Sequence, residues 1–178
     1  MLRYFCLLLF VAVLAPAQTL QPGATLPQIK GTTLDEQEII LPNAVTGKIT
    51  LLIITFSKTG GERGRAWNDR FFKDYPQDPK VTSYAIAMLQ DVPSLFRGMV
   101  RGGIKRGLPA FMRRRFLTVT KDEDDWKRYV GLQDDKDAYL ILLDIKGWVQ
   151  WSRHGQFDQA VYDSLKATIT QMLSQKTS

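Results

Sequence analysis

The sequence predicts an α/β chain: a mixed central sheet flanked on both faces by helices, in a three-layer sandwich. Three observations carry this expectation. The run Ile49-Thr50-Leu51-Leu52-Ile53-Ile54-Thr55-Phe56 is continuously apolar and β-branched, the pattern of a strand buried on both faces. A helical stripe and a second apolar strand follow it, an order that implies a right-handed crossover and parallel pairing. The chain then closes with an apolar strand, a tight turn, a returning strand and a long segment that places Phe157, Val161, Leu165, Ile169, Met172 and Leu173 on one helical face.

Taken in order, the first residues read as an export signal, 1–17. Arg3 precedes an apolar stretch from Tyr4 to Leu14 and the small-residue site Ala15-Pro16-Ala17, so cleavage is expected before Gln18. The stretch falls short of the about 20 apolar residues of a spanning helix; a retained anchor is the alternative. Residues 18–178 form a single domain. Gln18 to Gln28 is an extended lead-in, and the stretch through Leu41 alternates like a short hairpin. Ser57-Lys58-Thr59-Gly60-Gly61 breaks the buried strand, and Trp67, Phe71 and Tyr75, at i, i+4, i+8, mark a helix from about Glu62 to Tyr75. Pro76 and Pro79 end it, and Val81 to Leu89 supplies the second strand.

Asp91 as N-cap, with Pro93 in the first turn, invites a helix through Arg106. Gly98, Gly102, Gly103 and Gly107 oppose it, each costing about 1 kcal/mol relative to Ala in a helix interior. Thr120-x-x-Glu123 has capping-box spacing ahead of Trp126 and Tyr129, and Gly131 is a stop. Ala138 to Leu143 is a third strand, Asp144 to Gly147 a turn, and Trp148 to Ser152 the returning partner. Strict alternation there puts Trp148 and Ser152 on one face and Val149 and Trp151 on the other.

Composition bounds the chemistry. The only cysteine is Cys6, inside the signal, so the processed chain would hold none. That excludes disulfides, thiolate nucleophiles and cysteine metal sites from it. The formal charge is +6, and its excess is confined to one segment. From Ser94 to Thr120 the cations Arg97, Arg101, Lys105, Arg106, Arg113, Arg114 and Arg115 occur without one acid. In a helix Arg97, Arg101 and Lys105 share one face, while Phe96, Met99, Val100 and Ile104 cluster on another. Such faces suit an anionic membrane surface or a membrane-protein client; an ordinary solvated helix over the sheet is the plain alternative. Arg113-Arg114-Arg115, a single cluster without a recognised module, is a weak nucleic-acid footprint, and no nucleic-acid partner is expected.

Ser57 to Glu62 feeds a helix N-terminus, where Lys58, Thr59 and Gly61 are the residues that would meet an anion; a connecting turn is the alternative. His154 is the only histidine. It has no cysteine or second histidine for a metal site, and reads as a hairpin-end residue. Asp122 to Asp125, and Asp134, Asp135 and Asp137, read as helix-start and turn residues. No metal or cofactor is expected, and Trp126, Trp148 and Trp151 divide between packing and exposure.

The lead-in "PGATLPQIKGTTLDEQEIILPNAVTGKITLLIITF" and the element order resemble exported thioredoxin-like and peroxiredoxin-like domains. In those families the first buried strand delivers a Cys to the next helix N-terminus, whose dipole stabilises a thiolate. Here that position is Ser57-Lys58-Thr59-Gly60-Gly61-Glu62, and Asp137-Ala138 stands where the family places a cis-proline. A narrower resemblance, carried by "LLIITFSKTGGERGRAWNDRF", the basic insert around Met112 to Phe116 and "AYLILLDIKGWVQWSRHGQF", is to mitochondrial ATP-synthase assembly factors that keep a thioredoxin-like domain without the redox pair. The resemblances imply a non-catalytic exported protein, an assembly or chaperone-like factor at a membrane. The alternative is a non-thiol enzyme or ligand-binding domain using the 57–62 loop.

Overall fold

The computed structural model describes residues 20–175; Cys6, the signal segment and its cleavage point near Ala17 lie outside the described residues. The lead-in hairpin forms β1 (Ile29–Thr33) and β2 (Glu38–Leu41), and a short 3-10 turn at Asn43–Val45 leads to β3 (Ile49–Thr55). Helix α1 (Lys58–Asp74) connects β3 to β4 (Val81–Met88). The basic segment supplies α2 (Ser94–Arg106), α3 (Ala110–Arg113) and β5 (Phe116–Val119). Then come α4 (Glu123–Val130), β6 (Ala138–Leu143), β7 (Val149–Gly155) and α5 (Gln159–Gln175).

Among the described residues one mixed sheet of seven strands runs β2-β1-β5-β4-β3-β6-β7. All seven residues of β3 are buried, as its unbroken apolar run requires. It pairs parallel with β4, Ile53 opposite Ala85, and antiparallel with β6, Ile53 opposite Leu140. The pleat divides its side chains between two cores. Leu52 and Ile54 join Ile86, Met88, Trp126, Tyr139 and Ile141 beneath α4. Leu51 and Ile53 join Trp67, Phe71, Tyr162, Leu165 and Ile169 beneath α1 and α5.

Four expectations need correction. Helix α1 begins at Lys58 rather than Glu62, because the Ser57 hydroxyl accepts from the Gly60 amide at 3.0 Å and caps the helix there; Lys58, Thr59 and Gly61 therefore lie on the first helical turn, not in a loop. Helix α2 starts after Pro93, and no side chain caps it. Thr120 does not build a capping box: Asp122 takes a left-handed conformation, and Glu123, buried, accepts from the Gln90 amide at 2.8 Å while Gln90 Oε1 accepts from the Glu123 amide at 3.1 Å. The N-terminus of α4 is thus capped by a residue thirty-three positions away.

The fourth concerns β7. A bulge sets Trp151 opposite Leu142 and Val149 opposite Leu143, passing over Gln150. Val149 consequently packs in the α4-side core and Trp151 in the α1-side core, on opposite faces rather than one. Trp126 and Trp151 are buried, and Trp148 is 45% exposed.

Candidate functional site

The end of β3 delivers Ser57 to the N-terminus of α1, and the loop before β6 packs directly against it. Ser57 Oγ donates to the Asp135 carbonyl at 2.8 Å. Approach is so close that a Cβ on Gly60 would stand 2.9 Å from the Asp135 carbonyl oxygen and 3.0 Å from that of Asp137. Only glycine fits there without displacing backbone. The loop itself is pinned by Tyr139, whose hydroxyl accepts from the amides of Gln133 at 2.8 Å and Asp134 at 3.2 Å and donates to the Asp134 carbonyl at 3.1 Å.

Asp137 turns inward and pairs twice, with Arg63 of α1 at 2.5 Å and with His154 Nδ1 of β7 at 2.9 Å. His154 stacks on Tyr139, ring centroids 5.3 Å apart and planes 17° apart. The hairpin-end histidine and the turn aspartate are therefore parts of one charged cluster behind the α1 N-terminus. The register that puts Tyr139 opposite His154 brings them together. Among the described residues no three His, Cys, Asp or Glu side chains converge to hold a metal ion.

On its other side the α1 N-terminus opens into a cleft of about 590 Å³. One wall is the face of α1 carrying Lys58, Gly61, Arg65 and Asn68; the opposite wall is α2, through Val100, Gly103, Ile104 and Gly107. Its floor is β3 and β4, where Ala85 and Ala87 alternate toward α2 while the larger Ile86 and Met88 point to the α4 side. Helix α2 buries no residue fully, unlike α1, which buries Trp67 and Phe71. It stands off the sheet and leaves the space beneath it open. Of the residues expected to meet an anion, Lys58 and Gly61 line this cleft, whereas Thr59 is exposed outside it.

The seven cations of the insert separate into two groups. Arg97 donates to the carbonyls of Val92 and Gln90, both at 2.8 Å. Arg101 donates to the Thr33 carbonyl at 2.6 Å and bridges Glu36 with two contacts of 3.1 Å, while Arg113 donates to the Leu108 carbonyl at 3.3 Å. Arg97 and Arg101 hold the insert to the fold, whereas Arg113 bonds within the insert itself. Lys105, Arg106, Arg114 and Arg115 have no carboxylate within ion-pair distance among the described residues. The apolar positions divide as well: Val100 and Ile104 face the cleft, whereas Leu95 and Met99 point outward, 85% and 68% exposed. Helical spacing sets Arg106 on the Leu95 and Met99 side.

Reading the sequence missed the cleft and the Asp137–His154 pair. The small-residue alternation Ser83-x-Ala85-x-Ala87 and the glycines of α2 signal the first; nothing local signals the second, whose members lie seventeen positions apart.

No protein-family model matches the chain, and no curated protein sequence matches it. Its fold is nevertheless shared with solved structures. A protein of Chlorobium tepidum described as a thiol:disulfide interchange protein DsbE superposes with a TM-score of 0.61 at 19% identity, over 86% of this chain and 98% of that one. The thioredoxin domain of a thiol-disulfide oxidoreductase of Bacteroides vulgatus gives 0.57 at 20% identity, over 83% and 96%. The exposed lipoprotein thioredoxin Etrx1 of Streptococcus pneumoniae gives 0.57 at 12% identity, over 79% and 99%. The fold is thioredoxin-like, a mixed sheet between two helical layers.

Proposed function

We propose that this thioredoxin-like chain is a non-catalytic exported protein, an assembly or chaperone-like factor that works by binding at an anionic membrane surface through residues 94–116. The observation that carries the reading is the outward face of α2, where Leu95 and Met99 stand exposed beside Arg106, followed by the exposed Phe111 and Arg114. An apolar stripe rimmed by unpaired cations gains both from burial at the acyl boundary and from anionic headgroups. The sulfur-free sequence from Ser57 to Glu62 supports binding over thiol chemistry, because it stands where the fold's redox members carry their reactive Cys. The resemblance to redox-inactive assembly factors points the same way.

The Asp137–His154 pair is the one observation that favours a non-thiol enzyme. A histidine oriented by a carboxylate can act as a base, but the Ser57 hydroxyl at the α1 N-terminus is already engaged, donating to the Asp135 carbonyl and accepting from the Gly60 amide. The test is co-sedimentation of the chain from Gln18 onward with anionic and neutral vesicles, beside the variant Leu95→Gln/Met99→Gln/Arg106→Gln. Salt-sensitive binding to anionic vesicles that the variant loses is expected. Absence of binding to either vesicle, or binding the variant keeps, contradicts the reading.

A further inference from the structure

The cleft beneath α2 is separate from that outward face. Packed interiors leave few voids larger than a water molecule, and 590 Å³ lies within the range of small-molecule sites. The cleft follows α1 from Lys58 to Asp69, about 16 Å at the helical rise, roughly the reach of an extended chain of a dozen carbons. Apart from the rim groups Lys58, Glu62, Arg65 and Asp69 of α1, no charged side chain among the described residues lines it. Arg65 and Asp69 face each other there at 3.5 Å.

Beyond Asn68 the cleft continues into a small extension that shares Asn68, Ala85, Leu108 and Phe116 with it and adds Ser83 and Arg115. Asn68 Oδ1 accepts from Ser83 Oγ at 2.9 Å, which leaves the Asn68 amide nitrogen free to donate. Arg115, without a carboxylate partner among the described residues, lies at the same end. An apolar trough therefore ends at two donors, one of them cationic. We infer that the cleft binds a single-chain anionic amphiphile, its acyl chain along α1 and its head at Asn68 and Arg115.

The glycines of α2 make the test clean. Among the described residues, Gly103 lines the cleft and a Cβ there meets nothing within 4 Å; Gly98 is equally unobstructed but does not line it. Replacing either by Leu favours the helix to a similar degree, so Gly103→Leu fills the trough and Gly98→Leu controls for the change in helix stability. Calorimetric titration of the chain from Gln18 onward with dodecanoic acid and with 1-dodecanol, below their aggregation concentrations, reads the outcome. Expected are saturable binding of the acid, loss of at least about tenfold in Gly103→Leu with none in Gly98→Leu, and about tenfold weaker binding of the acid, but not the alcohol, in Arg115→Gln. Retained affinity in Gly103→Leu, or no binding of the acid to the unaltered chain, overturns the site. Equal binding of acid and alcohol overturns the assignment of the head. Leu95→Gln/Met99→Gln/Arg106→Gln keeps its affinity for dodecanoic acid, which separates this site from the membrane contact.

Discussion

Two neighbouring glycines at the start of α1 carry opposite energetic signs. Gly60 has carbonyl oxygens of the 134–137 loop where a Cβ would stand, whereas a Cβ on Gly61 meets nothing within 4 Å. Gly60→Ala is expected to destabilise by about 1–3 kcal/mol through forced displacement of backbone, and Gly61→Ala to stabilise by up to about 1 kcal/mol through helix propensity; denaturant titration of both reads the contrast. Tyr129 makes a second residue-level prediction. Burial pushes its phenol up to about 12, and its hydroxyl donates to the Thr25 carbonyl at 3.1 Å. A raised pKa contributes stability that is complete below the unfolded value, about 10, and is lost as pH climbs through the folded one. Stability should therefore fall between about pH 10 and pH 12, and Tyr129→Phe should flatten that fall by up to about 2 kcal/mol in chemical denaturation across the range. Single residues were unevenly legible in sequence. Trp67 and Phe71 declared their burial through helical spacing, whereas the role of Asp137 depends on a partner across a strand pair.

Helix α2 and strand β3 mark the two extremes of local stability. All of β3 is buried between two paired neighbours, while α2 buries no residue fully, contains glycines and has no side-chain cap. Its anchorage rests on Arg97 and Arg101, whose donors reach carbonyls of the flanking segment and of β1. Arg101→Gln should speed amide exchange in α2 by about tenfold, the equivalent of one charged hydrogen bond, and leave β3 unchanged; equal acceleration in both would refute the anchoring role. The core strands and α5 were readable because each has one unbroken period. Strand β5 was not, since four residues after three arginines present too short an alternation to separate from the insert. The α4 cap was misread for a related reason: Glu123 has the right spacing to Thr120, but Gln90 supplies the bonds from another element.

For the molecule as a whole, the order of elements was enough to give a three-layer α/β fold, because strand-helix-strand handedness and a closing hairpin leave little topological freedom. The use of the fold was less legible. Seven cations in an acid-free segment suggested one basic surface, yet Arg97 and Arg101 fasten the insert to its flanking segment and to β1, Arg113 bonds within the insert, and the other four have no carboxylate partner among the described residues. That partition follows from how α2 is rotated about its axis, which spacing alone leaves open. In the proposed function the thioredoxin-like scaffold presents α2 and α3 to a membrane surface rather than a thiol to a substrate. Hydrogen exchange of the chain from Gln18 onward, with and without vesicles rich in anionic lipid, tests this most directly. Slowed exchange confined to amides of residues 94–116 is the predicted result; no slowing, or slowing centred on the exposed Trp148 edge instead, would contradict it.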